Sequence, residues 1–591
     1  MKSIVLAHVL LLSVWWTVAA VPGGVRSMKR QWWDSSSIAT TTGCFGPNGG
    51  VVIDTTRDVA SRYSPQWDIQ RKGSHRIHQT TSSNESNHVR LCVHLSDDSQ
   101  LSEMQHLESQ GALKIQSVVK VETSRQLREN SYDWKDFSCY FSVNETFTQM
   151  ERLSTIYPDF VKVVSIGKSW WKTAGNAGHD IQVMVLTAPF TNATEKVPMM
   201  VIGGQHSREL PPPTLILQWA EYMLENYGKD ADITWILDRT EIHLIPLANP
   251  DGREIVEQHM DWYYRKNARV TACDETKDYG VDLNRNYPMW YKTAGIRSSS
   301  DPCTSSYPGS GPLSEPESSA VYGYVHNLFP AHVKRGQNAN EAQAYSTVPC
   351  QEDSQGILLD IHSSGNMVYF PWGHEDIPSP NHHSLLTMAS KLAHEGNYSL
   401  WGPGQDDFLY FVNGDATDSS YGIDCVASFG FEIGSTWYAP CEEFESDVVP
   451  TMRTNLIYAA KAAREPYRLP LGPDIMNIRL NATSTDVLWI NVAVSSRSLI
   501  VDHAKFEERK AGHKIESVKL YVDVHPDDTN DPEEALLMAA SDGQFDQINE
   551  SVNITLNTSQ WESKSRHILY FQATDQKGIS GPVSAVFYDT K

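Results

Sequence analysis

Four side chains have the types and placement to hold a metal ion and move a proton beside it: His206, Glu209, His362 and Glu432. The first two lie in Gly203-Gly204-Gln205-His206-Ser207-Arg208-Glu209, at the end of an apolar run. A histidine and a glutamate at that spacing can direct an imidazole nitrogen and a carboxylate oxygen to one ion. Zinc accepts both donor types, and a catalytic zinc takes three protein ligands and leaves a position open. In isolation the pair equally describes a surface ion pair or a capped turn. Asp360-Ile361-His362-Ser363 offers the third ligand, again at the end of an apolar run. Ser428-Phe429-Gly430-Phe431-Glu432 places one carboxylate in an otherwise apolar strand. Burying such a group is expensive without a purpose, and burial raises its pKa into the range of a general base.

Further motifs lie between these. Asn249-Pro250-Asp251-Gly252 reads as a tight turn closing a strand. Tyr264-Arg265-Lys266-Asn267 and Val281-Asp282-Leu283-Asn284-Arg285-Asn286 carry two arginines and three side-chain amides. A guanidinium fork suits bidentate capture of a carboxylate. Tyr369-Phe370-Pro371-Trp372-Gly373 follows His362.

These residues need rigid elements to bring them together. From Tyr132 to about Tyr467 buried strands alternate with amphipathic helices, the pattern of an α/β domain. Strands are expected over Val197–Gly203, Glu241–Leu247, Gly356–His362 and Val426–Ile433, with helices over Pro213–Tyr227 and Glu442–Arg464. Turns after buried strands are where open α/β sheets place their sites. Upstream, Val89–Leu95, Ser99–Gln110 and Leu113–Val121 read as strand, helix and strand of a small α+β prodomain. It ends near Arg125 and Arg128, in a charged linker suited to proteolysis. Beyond Pro470 short strands with polar turns (Ile475–Leu480, Val487–Val494, Ser517–Val524, Val552–Leu556, His567–Ala573) suggest a β-sandwich. The expected division is 1–20, 21–128, 129–469 and 470–591.

Residues 1–20 have the charged start, apolar run and small-residue end of a secretory signal peptide. The run is too short to span a bilayer comfortably, and no later segment is apolar enough. Eight Asn-x-Ser/Thr sequons, at Asn84, Asn144, Asn192, Asn397, Asn481, Asn549, Asn553 and Asn557, agree with a secreted glycoprotein. Eight cysteines in an oxidising compartment suggest disulfides, and Cys44 with Cys92 is a candidate pair in the prodomain. Lys29-Arg30 reads as a dibasic processing site. The net charge of −23 excludes nucleic acid as a partner, since phosphate binding needs clustered positive charge.

With these motifs in order, residues 130 to 465 resemble the zinc carboxypeptidases of the carboxypeptidase A and B type. The resemblance implies a mixed eight-stranded sheet flanked by helices and one zinc ion per chain, held by His206, Glu209 and His362. It implies Glu432 as general base and Arg265 as oxyanion stabiliser. Asn284 and Arg285 would grip the substrate's terminal carboxylate, Arg208 would contact it further in, and Tyr410 would close over it. The specificity position falls on Thr417, with Asp415 close by, which implies a broad pocket for apolar, aromatic and some basic residues. Cys273 and Cys303 match the family's disulfide. Partners would be peptide and protein C-termini and an activating endoprotease, with the chain a monomer. The sequence departs from digestive relatives at Trp262, where they carry arginine, and in a longer stretch around Ala331–Gln355.

Two other readings remain. A carboxypeptidase-like binding protein without catalysis would typically lack a ligand or the base, and here all are present. An amidase or endopeptidase would be obstructed by a carboxylate clamp at Asn284 and Arg285.

Overall fold

The computed structural model describes residues 137–590 apart from 190–195, 260–261, 274–278, 293–300, 330–346, 375–376, 397, 402–410, 497–511 and 530. It also gives the backbone of four earlier strands: β1 (Gly49–Thr56), β2 (Asp68–Gln70), β3 (His88–His94) and β4 (Leu113–Lys120). These form one sheet of order β2-β3-β1-β4, antiparallel throughout. β3 and β4 are the two expected prodomain strands. The helix expected at 99–110, the segment 1–20, Lys29-Arg30, Arg125, Arg128, Cys44, Asn84, Asn192, Asn397 and Tyr410 lie outside the described residues.

The second unit, described from residue 137 onward, is built on the expected mixed eight-stranded sheet. Its order is β11-β10-β12-β9-β7-β8-β6-β5. The strands are β5 (Val161–Lys168), β6 (Asp180–Leu186), β7 (Val197–Gly203), β8 (Thr240–Ile245), β9 (Ile357–His362), β10 (Met367–Tyr369), β11 (Ser399–Trp401) and β12 (Ala427–Glu432). The centre, β8-β7-β9-β12, is parallel; β6 and β5 follow antiparallel on one side, and on the other β10 is antiparallel to β12 and parallel to β11. Parallel strands covered on both faces read as continuous apolar runs, and β9 is buried along its whole length. The covering helices are α1 (Val143–Ile156), α2 (Pro211–Asn226), α3 (Ala231–Arg239), α4 (Pro250–His259), α5 (Pro316–Leu328), α6 (His382–Gly396), α7 (Ala416–Asp424) and α8 (Val449–Ala462). Local chemistry sets their starts. Ser142 and Glu145 form a reciprocal capping box on α1. Prolines at 211–213 open α2, where the absent N–H costs nothing.

Two expectations are refined. Asn249-Pro250-Asp251-Gly252 does not merely turn: Pro250 is the first residue of α4, and Asn249 Oδ1 accepts from Gly252 N at 3.1 Å. The helix expected over Glu442–Arg464 is present but not regular throughout: it runs from Cys441 to Ala462 with a π turn at Phe444–Val448 ahead of α8.

Downstream are two four-stranded sheets, β13-β14-β18-β17 and β16-β15-β19-β20. Their strands are β13 (Asp474–Ser484), β14 (Val487–Ser495), β15 (Ile515–Val522), β16 (Leu536–Leu537), β17 (Ala539–Ala540), β18 (Asn549–Asn557), β19 (Arg566–Asp575) and β20 (Ser584–Asp589). Leu488, Ile490, Val492 and Val494 alternate inward from β14 and meet Val518, Leu520, Leu569 and Phe571 of the other sheet. The sandwich also shares a core with the α/β layer, to which it gives Tyr521, Tyr570, Val583 and Ala585. Polar ties seal the seam: Lys461 Nζ to Ser584 Oγ at 3.0 Å, Lys391 to Asp474 at 2.6 Å, and Ala585 N to Asp232 Oδ1 at 2.8 Å. His525 sits between Trp235 and Tyr570, with ring centroids 5.2 and 5.1 Å away. Among the described residues no helix is long and apolar enough to cross a membrane.

Three disulfides join the described cysteines: Cys273–Cys303, Cys139–Cys441 and Cys350–Cys425. The first is the expected pair.

Gly430 tests the packing beneath the site. A Cβ there would lie 1.9 Å from Cζ of Tyr369, whose ring crosses β12 at that point. Gly430→Ala should therefore destabilise the protein by about 1–3 kcal/mol through overpacking, seen as a lower urea midpoint at unchanged slope.

Candidate metal centre

The parallel register assembles the site. Glu432, last in β12, pairs with His362, last in β9, and Ile361 of β9 pairs with Gly203, last in β7. His206 and Glu209 follow β7 in a tight loop, so all four groups emerge at the carboxyl ends of adjacent strands. Gly204 makes the turn possible. Its φ is +62°, and a Cβ would lie 2.8 Å from Leu247 Cδ1. Asn249 then fastens the loop, donating from Nδ2 to Gln205 O, Ser207 Oγ and Lys266 O at 3.1, 3.1 and 3.0 Å. Gly252 admits this contact, since a Cβ there would lie 2.3 Å from Ser207 Oγ.

His206, Glu209 and His362 are all buried, and one donor atom from each lies within 4.8 Å of the others. The two Nδ1 atoms face each other at 3.0 Å. Glu209 Oε1 is 2.6 Å from His206 Nδ1, and its Oε2 is 3.0 Å from His362 Nδ1. The distal nitrogens face buried carboxylates: His206 Nε2 lies 3.2 Å from Asp282 Oδ1, and His362 Nε2 lies 2.8 Å from Asp360 Oδ2. Imidazole backed by carboxylate is the usual outer support of a metal ligand. Two imidazoles and one carboxylate are the donor set of a three-ligand zinc site, so the residues present fit that ion.

The electrostatics agree. Burial works against charge on Glu209, but His206 and His362 outweigh it and hold the carboxyl well below its usual range. Burial lowers the pKa of His206, with Arg265 adding to the effect. Burial opposes charge on His362 too, yet Asp360 and Glu209 overcome it and raise its pKa well above the usual value. Glu432 is pushed up to about 8, first by burial and then by Glu209. Its proton is exchangeable near neutral pH, unlike those of Glu209 and Asp282.

Around this core, Arg265 donates from Nε to Asp282 Oδ2 at 3.0 Å, with Nη1 3.9 Å from Glu209 Oε1. Burial opposes charge on Asp282, but Arg265 and Arg285 hold its pKa well below the usual range. Asn284 Nδ2 is 3.1 Å from His362 Nε2, and its Oδ1 accepts from Ala416 N at 3.0 Å. Arg285 is buried beside it and donates to Asn284 O at 2.6 Å. Arg208 stacks on the Trp437 ring, 3.6 Å from its centroid, and donates to Tyr263 O. Trp262 packs on Phe137 and Tyr438.

Asp415 and Thr417 open α7 below this group. Asp415 caps the helix: Oδ1 accepts from Asp418 N at 2.9 Å and from Thr417 Oγ1 at 2.5 Å. Its Oδ2 is buried with no hydrogen-bond partner among the described residues. Burial, then Asp418, pushes its pKa up to about 7.

Sequence reasoning noticed Asp282 and Asp360 without giving them a task, and it passed over Gln205 and Trp437. An acid two residues from a ligand histidine was the available signal for Asp360. Trp437 had none, because only the fold brings it to Arg208.

A profile of the zinc carboxypeptidase family matches residues 147–456. Human mast cell carboxypeptidase A is 25% identical over 377 residues, 61% of this chain and 81% of that protein. Bovine carboxypeptidase B2 is 25% identical over 358 residues (59% and 75%), and bovine carboxypeptidase A1 is 27% identical over 349 residues (57% and 73%). Among solved structures, carboxypeptidase A from Helicoverpa armigera covers 71% of this chain and 98% of its own at 20% identity, with a TM-score of 0.49. Thrombin activatable fibrinolysis inhibitor covers 70% and 99% at 21% identity, with a TM-score of 0.47. The family profile spans more than half of the chain, which therefore belongs to the zinc carboxypeptidase family, hydrolases that act as metallocarboxypeptidases.

Proposed function

We propose that the chain releases C-terminal residues from peptides and proteins with one zinc ion held by His206, Glu209 and His362. The observation that carries this reading is the meeting of two imidazole Nδ1 atoms and the Glu209 carboxylate beside Glu432, at the ends of β7, β9 and β12. A zinc ion there supplies Lewis-acid polarisation and a water whose pKa falls to about 7. Glu432 accepts a proton from the attacking water and returns it to the leaving amine, a role suited to a carboxyl at the strand end beside His362. Arg265, braced by Asp282, meets the charge that develops on the scissile carbonyl. Asn284 and Arg285 bind the terminal carboxylate, which restricts cleavage to the last bond. Arg208, stacked on Trp437, contacts the substrate further from its end. Tyr410 closes over the bound residue.

Specificity follows from the start of α7. Asp415 spends Oδ1 on the helix cap and keeps Oδ2 free of the cap, so it can meet a Lys or Arg side chain. Thr417 leaves room for apolar and aromatic side chains. We extend the proposal to a secreted, glycosylated, monomeric zymogen. In it 1–20 is the signal peptide, 21–128 the prodomain removed by an endoprotease, 129–469 the catalytic part and 470–591 the sandwich.

Four outcomes are expected. Cleaved protein should release the last residue from blocked dipeptides ending in Phe, Leu or Arg, and a zinc chelator should stop it. Glu432→Gln should lose about 10²–10⁴ in kcat with the metal still bound. Absence of chelator-sensitive release from every substrate would instead favour the binding-protein reading. Zinc at about a hundred times its Kd should stabilise the metal-free protein by about 2.7 kcal/mol, seen as a higher melting temperature, and Glu209→Ala should abolish the rise. Finally, the Arg-to-Phe cleavage ratio should rise as pH passes through about 7, because Asp415 gains charge as it loses its proton. Asp415→Asn, which preserves the cap, should flatten that rise and lower Arg cleavage while sparing Phe.

A further inference from the structure

His362 Nε2 has two neighbours that ask opposite things of it. Asp360 Oδ2, at 2.8 Å, only accepts, so it requires the ring proton on Nε2. Asn284 Nδ2, at 3.1 Å, only donates, so it requires Nε2 bare. The amide cannot escape by flipping, because Asn284 Oδ1 is committed to Ala416 N at 3.0 Å. If Asn284 prevailed in the neutral ring, the proton would move to Nδ1, the atom that faces Glu209 and His206 Nδ1. A protonated Nδ1 cannot bind a metal.

The structure favours Asp360. Its contact is the shorter and is assisted by charge. Gln205 holds the carboxylate in place, donating from Nε2 to both oxygens at 2.8 Å. Gln205 is itself fixed, since its Oε1 accepts from Tyr287 Oη at 2.9 Å. All of these groups are buried. Register makes the arrangement possible: Asp360 pairs with Ile202 on β7, three residues before Gln205.

We infer that Asp360 is a positioning residue, held by Gln205 and Tyr287, that fixes the single proton of the neutral His362 ring on Nε2 against Asn284 and so leaves Nδ1 bare for the metal. The inference rests on the metal assignment proposed above. It also joins two parts of the site, because the amide that competes for His362 belongs to the proposed carboxylate clamp.

Zinc affinity of the metal-free full chain, measured by competition with a chromophoric chelator, tests this without reference to turnover. Asp360→Ala should weaken zinc binding by about 10- to 100-fold. Asn284→Ala alone should match the wild type. Asp360→Ala with Asn284→Ala should bind more tightly than Asp360→Ala, because the competing donor is gone. A purely structural role for Asp360 predicts no such recovery. Unchanged affinity in Asp360→Ala, or no recovery in the double variant, would overturn the inference. Should Asp360→Ala fail to fold, Gln205→Met replaces it, with a smaller loss and the same recovery expected, and unchanged affinity again decides against the inference. A wild-type protein that binds no zinc would overturn the metal assignment itself.

Discussion

Everything at the site depends on the register of three parallel strands. Because β7, β9 and β12 run in step, their final residues lie side by side and the loops that follow start from one line. A slip of one residue would turn His362 and Glu432 to opposite faces of the sheet. The buried apolar runs that fix the register therefore also fix the distance between His362 and Glu432. Helices on both faces, and the sandwich beyond them, hold those runs out of water.

Within that frame the site is a balance of buried charge. Glu209, Asp282, Asp360 and Glu432 face Arg265, Arg285 and two histidines in a space from which water is largely removed. None of these groups tolerates removal of its partners lightly, since an unpaired buried charge is costly. The shifts are set apart in a useful way: Glu209 and Asp282 are held ionised while Glu432 keeps its proton within reach of neutral pH. Opposite environments for neighbouring carboxyls divide one chemistry into binding and proton transfer.

Much of this was legible in the sequence because strands and site residues leave local marks. β7, β9 and β12 announce themselves as apolar runs, and each ends within a few residues of a polar group out of character with it. The eight-stranded mixed sheet came from resemblance rather than from periodicity. What could not be read is what depends on distant partners. Asn249-Pro250-Asp251-Gly252 looks like a turn until Gly252 is seen pressed against Ser207. Phe444–Val448 has no composition that marks a π turn. Asp415 looked like a specificity residue alone, yet half of its carboxylate serves as a helix cap. Cys139, Cys350, Cys425 and Cys441 had no assignable partners, since pairing requires the folded geometry.

The Cys139–Cys441 bridge has a mechanical meaning. His206, Glu209, His362, Glu432, the three arginines Arg208, Arg265 and Arg285, and all eight strands of the central sheet lie between these two cysteines in sequence. The sandwich and α8 lie outside that interval. A pull applied between the two ends of the chain is therefore carried from residue 139 to residue 441 through one covalent bond. The segment that bears the site hangs from that bond as an unloaded loop. Tension can strip away flanking elements without drawing on the strands whose register sets the chemistry.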